Sequence, residues 1–392
     1  METAAPGCWG RRFCFYHLCD VNSPVATPAL PLRRLRVEGF KSIASLDLEL
    51  RPLNVLIGAN GAGKSNLIEV FRFVREIIEQ RLQAYVARQG GAERVLHYGR
   101  RRTDWIELSF FFGEYKYTVL IGSSDYDQFY LSGETLSTDV FGFDENTFPY
   151  EHRVTGGLES NIARDARQFL LSARIVKVLQ NWRVYHFHDV SPTARVKSTA
   201  RLHDNAFLFE DAGNLAAFLY LLQERHSAHF TRIERTIKQI LPDFGGFELR
   251  PNPLNPDTIQ LEWRERNTPD YRFTAADFSD GSLRFVCLAT LLLQPELPSV
   301  LLLDEPELGL HPAAVVILGE LLHKASQRTT VIVSTQSAAL LSAFAPEDVI
   351  VVDREAGAST FRRLEEEPLR EWLTRYSLGE LWEKNVFNGG RP

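Results

Sequence analysis

Two hydrophobic periods alternate along this 392-residue chain. Residues 35–40 and 44–50 alternate apolar with polar, which predicts two half-buried strands with Leu46, Leu48 and Leu50 on one face. Residues 53–57 form a short apolar run. After it, Leu67, Val70, Phe71, Val74, Ile77, Ile78, Leu82 and Tyr85 recur at helical spacing, and Gly90-Gly91 ends the predicted helix. Residues 105–112 and 115–121 read as strands joined by Gly113-Glu114, a two-residue type II′ hairpin turn. From about 123 to 155 the chain is polar, aromatic and turn-rich, with no clean period. From about 158 to 240 the spacing is helical, most clearly over 214–222 and 233–241. Pro251, Pro253 and Pro256 mark a loop, and 258–263 alternates as a strand does. Residues 285–293 predict an apolar helix, and 300–303 and 331–333 are β-runs buried on both faces. Residues 369–382, rich in Leu and Trp, should dock as helices with Trp372 and Trp382 in the core. There is no internal repeat and no sustained heptad pattern.

Chemistry enters where the first buried run ends. Gly58-Ala59-Asn60-Gly61-Ala62-Gly63-Lys64-Ser65 fits G-x-x-x-x-G-K-[ST], between a predicted strand and a predicted helix. Glycines let backbone N–H groups close around phosphate oxygens, and the helix N-terminus adds partial positive charge. Lys64 would reach the β- and γ-phosphates of ATP, and the Ser65 hydroxyl would help hold Mg²⁺. The run 300–303 ends in Asp304-Glu305, a Walker B pattern. Asp304 would hold Mg²⁺ and Glu305 would polarise the attacking water. Upstream, Ser279-Asp280-Gly281-Ser282 opens the apolar helix, with Ser279 or Asp280 as its cap and N–H groups and hydroxyls suited to an anion. Downstream, the strand 331–333 runs into Ser334-Thr335-Gln336-Ser337.

The net charge of −6 argues against coating nucleic acid by bulk charge but leaves room for a local groove. Arg100-Arg101-Arg102 and the stretch with Arg195, Lys197 and Arg201 are candidates for phosphate contact, or simply solvated surface. No apolar run reaches the length of a membrane span. Four cysteines give no disulfide framework, and a reducing, cytoplasmic setting is expected. Cys8, Cys14, Cys19 and His17 lie in the first 31 residues, read as a flexible leader; their spacing lacks the C-x₂-C clip of structural zinc sites.

The order phosphate loop, Ser-Asp-Gly-Ser, Leu-Leu-Asp-Glu-Pro, Gly309-Leu310-His311-Pro312 and Ser-Thr-Gln-Ser resembles the ABC-type ATPases, most closely the stand-alone RecF/SMC/OLD-like branch. The opening Val37-Glu38-Gly39-Phe40-Lys41-Ser42 is similar to the same branch. The segments Tyr185-His186-Phe187-His188-Asp189 and 376–382 resemble a family of bacterial predicted ATPases of unknown role. The resemblance implies an α/β fold: a P-loop ABC-type ATPase with a mixed central sheet, a flanking antiparallel β-layer and an inserted helical lobe. The expected division is a leader to 31, ATPase residues 32–122, a mixed β/helical insertion at 123–270, and the rest of the ATPase at 271–392. It implies nucleotide contact by Asn60, Gly61, Gly63, Lys64, Ser65 and Asn66, and an ATP-dependent homodimer in which Ser279, Gly281 and Ser282 of one copy touch the γ-phosphate held at Lys64 of the other. Gly309, Leu310 and His311 would lie at the dimer contact. Gln336 stands where transporter ATPases carry a histidine; it cannot shuttle a proton but can hydrogen-bond the γ-phosphate. For the Q-loop, Gln128 and the segment His186 to Asp189 are both candidates, and a metal site at the latter is the lesser reading. The expected function is a hydrolysing switch in DNA repair, DNA maintenance or phage defence, with DNA as a candidate partner; the alternative is regulation of a separate effector or toxin protein without DNA contact. A transporter ATPase and a self-contained nuclease fit the spacing less well.

Overall fold

The computed structural model describes residues 30–138, 150–154, 156–167, 169–268 and 270–387, with the side chains of 138, 150–154 and 170 left aside. Cys8, Cys14, Cys19 and His17 lie outside these residues. The chain opens with the hairpin β1 (Arg34–Phe40) and β2 (Ile43–Glu49), and Leu46, Leu48 and Leu50 share a buried face as expected. Next come the buried strand β3 (Leu53–Ile57), helix α1 (Lys64–Ile78) and helix α2 (Leu82–Gln89). The single helix expected over this span is two. Gln80 takes a left-handed φ of +58° while its side chain donates to Ser160 O at 3.0 Å. The Glu159 carboxylate caps the new start by accepting from the N–H groups of Leu82 and Gln83 at 2.9 and 3.2 Å. Gly90 closes α2 in the left-handed conformation.

Strands β4 (Trp105–Phe112) and β5 (Tyr115–Ser123) form the expected hairpin, with positive φ at Gly113. The polar stretch after them, in which no element was legible, supplies β6 (Phe129–Thr138) and β7 (Tyr150–Val154). The resulting antiparallel sheet runs β2-β1-β4-β5-β6-β7. Its pattern was hidden by a bulge at Leu120/Ile121 and by an acid at a core position. Glu134 is 1% exposed. Its carboxylate accepts from Tyr117 Oη (2.8 Å), Ser160 Oγ (2.7 Å) and the N–H groups of Asn161 (2.9 Å) and Ile162 (3.1 Å). Four donors, two of them at the start of helix α3 (Ile162–Asp165), make the buried charge tolerable.

Helix α4 (Leu170–Gln180) leads into β8 (Trp182–Tyr185), which pairs in parallel with a strand more than a hundred residues later. Trp182 packs against Phe71, Phe110 and Phe112 with centroids 5.0, 5.1 and 6.2 Å away, joining α1 to the antiparallel sheet. Beyond lie β9 (Ala200–Arg201), helices α5 (Leu215–Arg225) and α6 (Ser227–Ile240), and the short strands β10 (Phe244–Phe247), β11 (Pro251–Asn252), β12 (Asn255–Ile259), β13 (Glu262–Glu265) and β14 (Phe273–Thr274). The strand expected over 258–263 is split: β12 pairs with β9 and β11, while β13 pairs with β10 and β14 in another small sheet. Within the segment 123–270, β6 and β7 belong to the antiparallel sheet and β8 to the second large sheet.

Helix α7 (Asp280–Leu293), β15 (Val300–Asp304), α8 (Pro312–Ser326), β16 (Thr330–Ser334), α9 (Ala338–Leu341), β17 (Val349–Glu355) and β18 (Ala358–Arg363) complete the second sheet, ordered β18-β17-β3-β16-β15-β8. It is mixed: β18 is antiparallel to β17 and the other pairs are parallel. The apolar runs alternate between two cores. Leu301, Leu303, Val331 and Val333 face α7 and α8; Leu302, Ile332, Ile350 and Leu56 face α1 and the antiparallel sheet. The chain then forms α10 (Arg370–Leu373) and α11 (Leu378–Glu383). Trp382 packs against the core, but Trp372 is 48% exposed, contrary to expectation.

Candidate functional site

The phosphate loop lies at the carboxyl end of β3 and enters α1. Two glycines are fixed by close neighbours as well as by conformation. A Cβ at Gly58 (φ +153°) would lie 2.1 Å from Val352 O, and one at Gly63 (φ +120°) would lie 2.0 Å from Ser359 Oγ. Asn60 and Gly61 are exposed at the loop tip, and Ser65 is exposed at the start of α1. Lys64 is 6% exposed, and its ammonium donates to Gly58 O at 2.6 Å and Ala59 O at 3.1 Å. Burial pushes its pKa down, partly offset by Glu305, Asp304 and Glu307. Asn66 is turned to the rear of the loop. Its amide donates to Ser42 Oγ (2.7 Å), Ser42 meets Ser359 Oγ (2.6 Å), and Ser359 donates to Ala62 O (2.6 Å).

Parallel pairing of β15 with β16 sets the acids beside the second strand's end. Asp304 accepts from Ser334 Oγ. Glu305 sits at φ +45°, a conformation costly for a residue with a Cβ and frequent at functional sites. Its N–H donates to Ser334 O at 3.0 Å, and its carboxylate accepts from Gln336 Nε2. Behind them, Glu307 accepts from Thr335 Oγ1 and from Gln336 N–H, while its Oε2 is buried with no hydrogen-bond partner among the described residues. Burial raises the pKa of this carboxyl.

The structure thus gathers Lys64, Asp304, Glu305 and Gln336 at the carboxyl ends of adjacent parallel strands, where open α/β sheets place ligands. The cavity of about 700 Å³ lined by Arg33, Arg51, Lys177 and Arg328 lies at the opposite strand ends and is not this site. Gln128 lies in the β5–β6 turn, hydrogen-bonded to Ser124, and takes no part. The segment after β8 does: His188 Nε2 meets Asp304 O at 3.0 Å. His186 faces the Arg72 guanidinium; burial first, then Arg72, lowers its pKa. Among the described residues no group of three or more His, Cys, Asp or Glu is placed to hold a metal ion.

Ser279, Gly281 and Ser282 lie elsewhere, at the exposed N-terminus of α7. Ser279 Oγ accepts from Ser282 N–H (3.2 Å) and pairs with Ser282 Oγ (2.7 Å). Among the described residues, no hydrogen bond or ion pair joins them to the phosphate loop. His311 caps α8, its Nδ1 accepting from Ala313 N–H at 3.3 Å. Sequence reasoning assigned no role to Ser42, Ser359, Glu307 or Arg284; Glu307 was visible two residues past Glu305, but its burial was not.

The glycine cradle, the buried ammonium and the neighbouring acid–hydroxyl groups fit a Mg²⁺–nucleoside triphosphate. Fold and site together define an ATPase domain of the RecF/SMC-like type. Residues 53–342 match the family described as "AAA domain, putative AbiEii toxin, Type IV TA system", and the chain belongs to that family. A 46-residue stretch is 44% identical to the DNA replication and repair protein RecF of Actinobacillus pleuropneumoniae serotype 5b (strain L20), covering 12% of this chain and 13% of that protein. The fold is similar to an SmcHead bound to the C-winged helix domain of ScpA (TM-score 0.58, 15% identity, 87% of this chain and 99% of that one). It is also similar to an Smc head domain with an extended coiled coil bound to the C-terminal domain of ScpA, derived from Pyrococcus furiosus (TM-score 0.51, 15% identity, 88% and 98%).

Proposed function

We propose that this protein is an ATP-hydrolysing switch whose active site is completed by a second copy of the chain. The carrying observation is the split just described: a phosphate loop, two acids and a glutamine converge, while the Ser279–Ser282 turn points to solvent with no phosphate loop of its own. ATP would exchange the Lys64 bonds to Gly58 O and Ala59 O for bonds to its β- and γ-phosphates. Backbone N–H groups from Asn60 to Ser65 would take the remaining oxygens. Ser65 and Asp304 would hold Mg²⁺, which when bound neutralises charge on the β- and γ-oxygens. Glu305 would accept the proton of the attacking water, and Gln336, whose amide donates to that carboxylate, would sense the γ-phosphate. Ser279, Gly281 and Ser282 of the partner copy would close over that phosphate, so that ATP favours the dimer and hydrolysis releases it.

For the target we carry two readings. DNA repair, DNA maintenance or phage defence is supported by the RecF-like stretch. Control of a separate effector is favoured by the basic residues themselves: Arg100 pairs with Asp125, Arg195 with Asp211, and Lys197 with Val190 O and Asp280. Among the described residues, no helix is long and apolar enough to cross a membrane. The test is steady-state ATP hydrolysis with and without duplex and single-stranded DNA, using Glu305→Gln as the blank. Stimulation by DNA supports the first target and indifference the second; wild-type turnover no faster than Glu305→Gln would end the proposal.

A further inference from the structure

One side chain of helix α7 ties it to the segment after β8 and to the turn after Glu305, beside the apolar packing of α7 on the sheet. Arg284, the half-buried fifth residue of the helix, spreads its guanidinium over three carbonyls: Nε donates to Phe187 O at 3.1 Å, Nη2 to His188 O at 3.0 Å and Nη1 to Leu308 O at 2.9 Å. Phe187 and His188 lie two and three residues past the end of β8, the edge strand beside β15, and the His188 ring in turn meets Asp304 O. Leu308 lies in the turn that begins at Glu305, and its N–H donates to Glu305 O at 3.2 Å.

Two glycines let these parts close up. A Cβ at Gly309 would stand 2.3 Å from Arg284 Nη1, and one at Gly281 would stand 2.4 Å from Gly309 O. The turn that carries Ser279 and Ser282 therefore rests backbone to backbone on the turn that follows Glu305. Only a planar fork with several N–H groups can span three carbonyls from two segments; a lysine ammonium is a single point. None of these bonds touches Lys64 or the phosphate loop.

We propose that Arg284 is a positioning residue that makes the Ser279–Ser282 turn, the 187–188 segment and the turn after Glu305 move as one body. The inference rests on the proposed hydrolysis at Glu305 and deepens it. In a two-copy assembly, a chain whose Ser279 turn engages its partner's ATP would thereby set its own Asp304 and Glu305. The two sites would be coupled through a rigid block inside each chain.

The test compares Arg284→Met, which keeps the stem and removes all donors, with Arg284→Lys, which restores charge and one nitrogen. ATP affinity by calorimetry and KM should stay within about twofold of wild type, because phosphate-loop binding is untouched. The kcat should fall about tenfold to a hundredfold in Arg284→Met, as for small misplacements of a catalytic group, with partial recovery in Arg284→Lys. Hydrogen exchange supplies a readout independent of turnover. With ATP, peptides covering 278–285 and 305–311 should gain protection together in the wild type, and only the second in Arg284→Met. If Arg284→Met does not fold, Gly309→Ala, which pushes a Cβ against Nη1, should give the same kcat-only loss. A kcat within about twofold, an equal loss of affinity and rate, or independent protection of the two peptides in the wild type overturns the proposal. Should the wild type hydrolyse no ATP, the functional reading falls, and the exchange data alone then decide whether the block is real.

Discussion

The two halves of the proposed site differ in how they satisfy their own polar groups. Around the phosphate loop, each charged group already has a protein partner: Lys64 holds two carbonyls, Asp304 takes Ser334, and Glu305 takes Gln336. At the start of α7, the hydroxyls of Ser279 and Ser282 are, among the described residues, hydrogen-bonded only within this pair. The first half is a machine at rest, its bonds closed until a ligand displaces them. The second is an open donor set at a helix N-terminus. On the proposed reading, the first half would bind nucleotide alone and the second would need a phosphate held by another copy.

The sharpest break in this comparison is Lys64→Ala. Losing a buried, charge-assisted partner should weaken ATP binding by about a hundredfold or more, read by calorimetry. Unchanged affinity would move the nucleotide away from this loop. Glu305→Gln should next lower kcat by about 10²- to 10⁴-fold while leaving ATP binding intact, as expected for loss of a general base. Light scattering should then find a trapped dimer, and a monomer at saturating ATP would contradict the two-copy site. Ser279→Ala tests the open half. One hydrogen bond to a charged phosphate is worth about 1.5–3 kcal/mol, so kcat should fall about tenfold to a hundredfold with ATP affinity unchanged. Mixing Ser279→Ala with Lys64→Ala should leave mixed dimers with one intact site, and activity above either variant alone is the expected result.

Smaller effects refine the closed half. Ser359→Ala removes the donor to Ala62 O and should cost about 1–3 kcal/mol of stability. The KM for ATP should rise several-fold, and unchanged values of both would show that the loop holds its shape without that bond. Glu307 gives the weakest signal. Its carboxyl is raised by burial, so its folded-state pKa lies above the unfolded value of about 4.3. Stability from its neutral form is full below that value and is lost as pH rises through the folded pKa. Thermal melting of Glu307→Gln should therefore decline less than wild type over this window; parallel curves would assign the pH dependence elsewhere.

In both halves, what could be read beforehand is what is contiguous in the chain. The closed half is written in contiguous motifs, because a strand, a glycine turn and a helix start must follow one another to cradle phosphate. The alternation that sends Leu302 and Leu303 into different cores was legible for the same local reason. What was missed is held by distant partners. Glu134 reads as a polar break in β6, and only Tyr117, Ser160, Asn161 and Ile162 make it a core residue. The break between α1 and α2 depends on a cap from Glu159, 77 residues beyond Leu82. Ser359 and Arg284 carry no motif, Ser42 was read only as the end of the opening 37–42 segment, and the partners of all three are set by the fold.

The bonds from Asn66 through Ser42 and Ser359 to Ala62 bear on where such a domain can be cut. The family match ends at residue 342 and begins at residue 53. A fragment trimmed to those limits would retain the phosphate loop, the Ser-Asp-Gly-Ser turn, the paired acids and Gln336. It would lack Ser42, Ser359 and Val352, the three residues against which Gly58, Ala62 and Gly63 are shaped. Its proposed nucleotide-contacting residues would be complete and the floor beneath its phosphate loop would be missing.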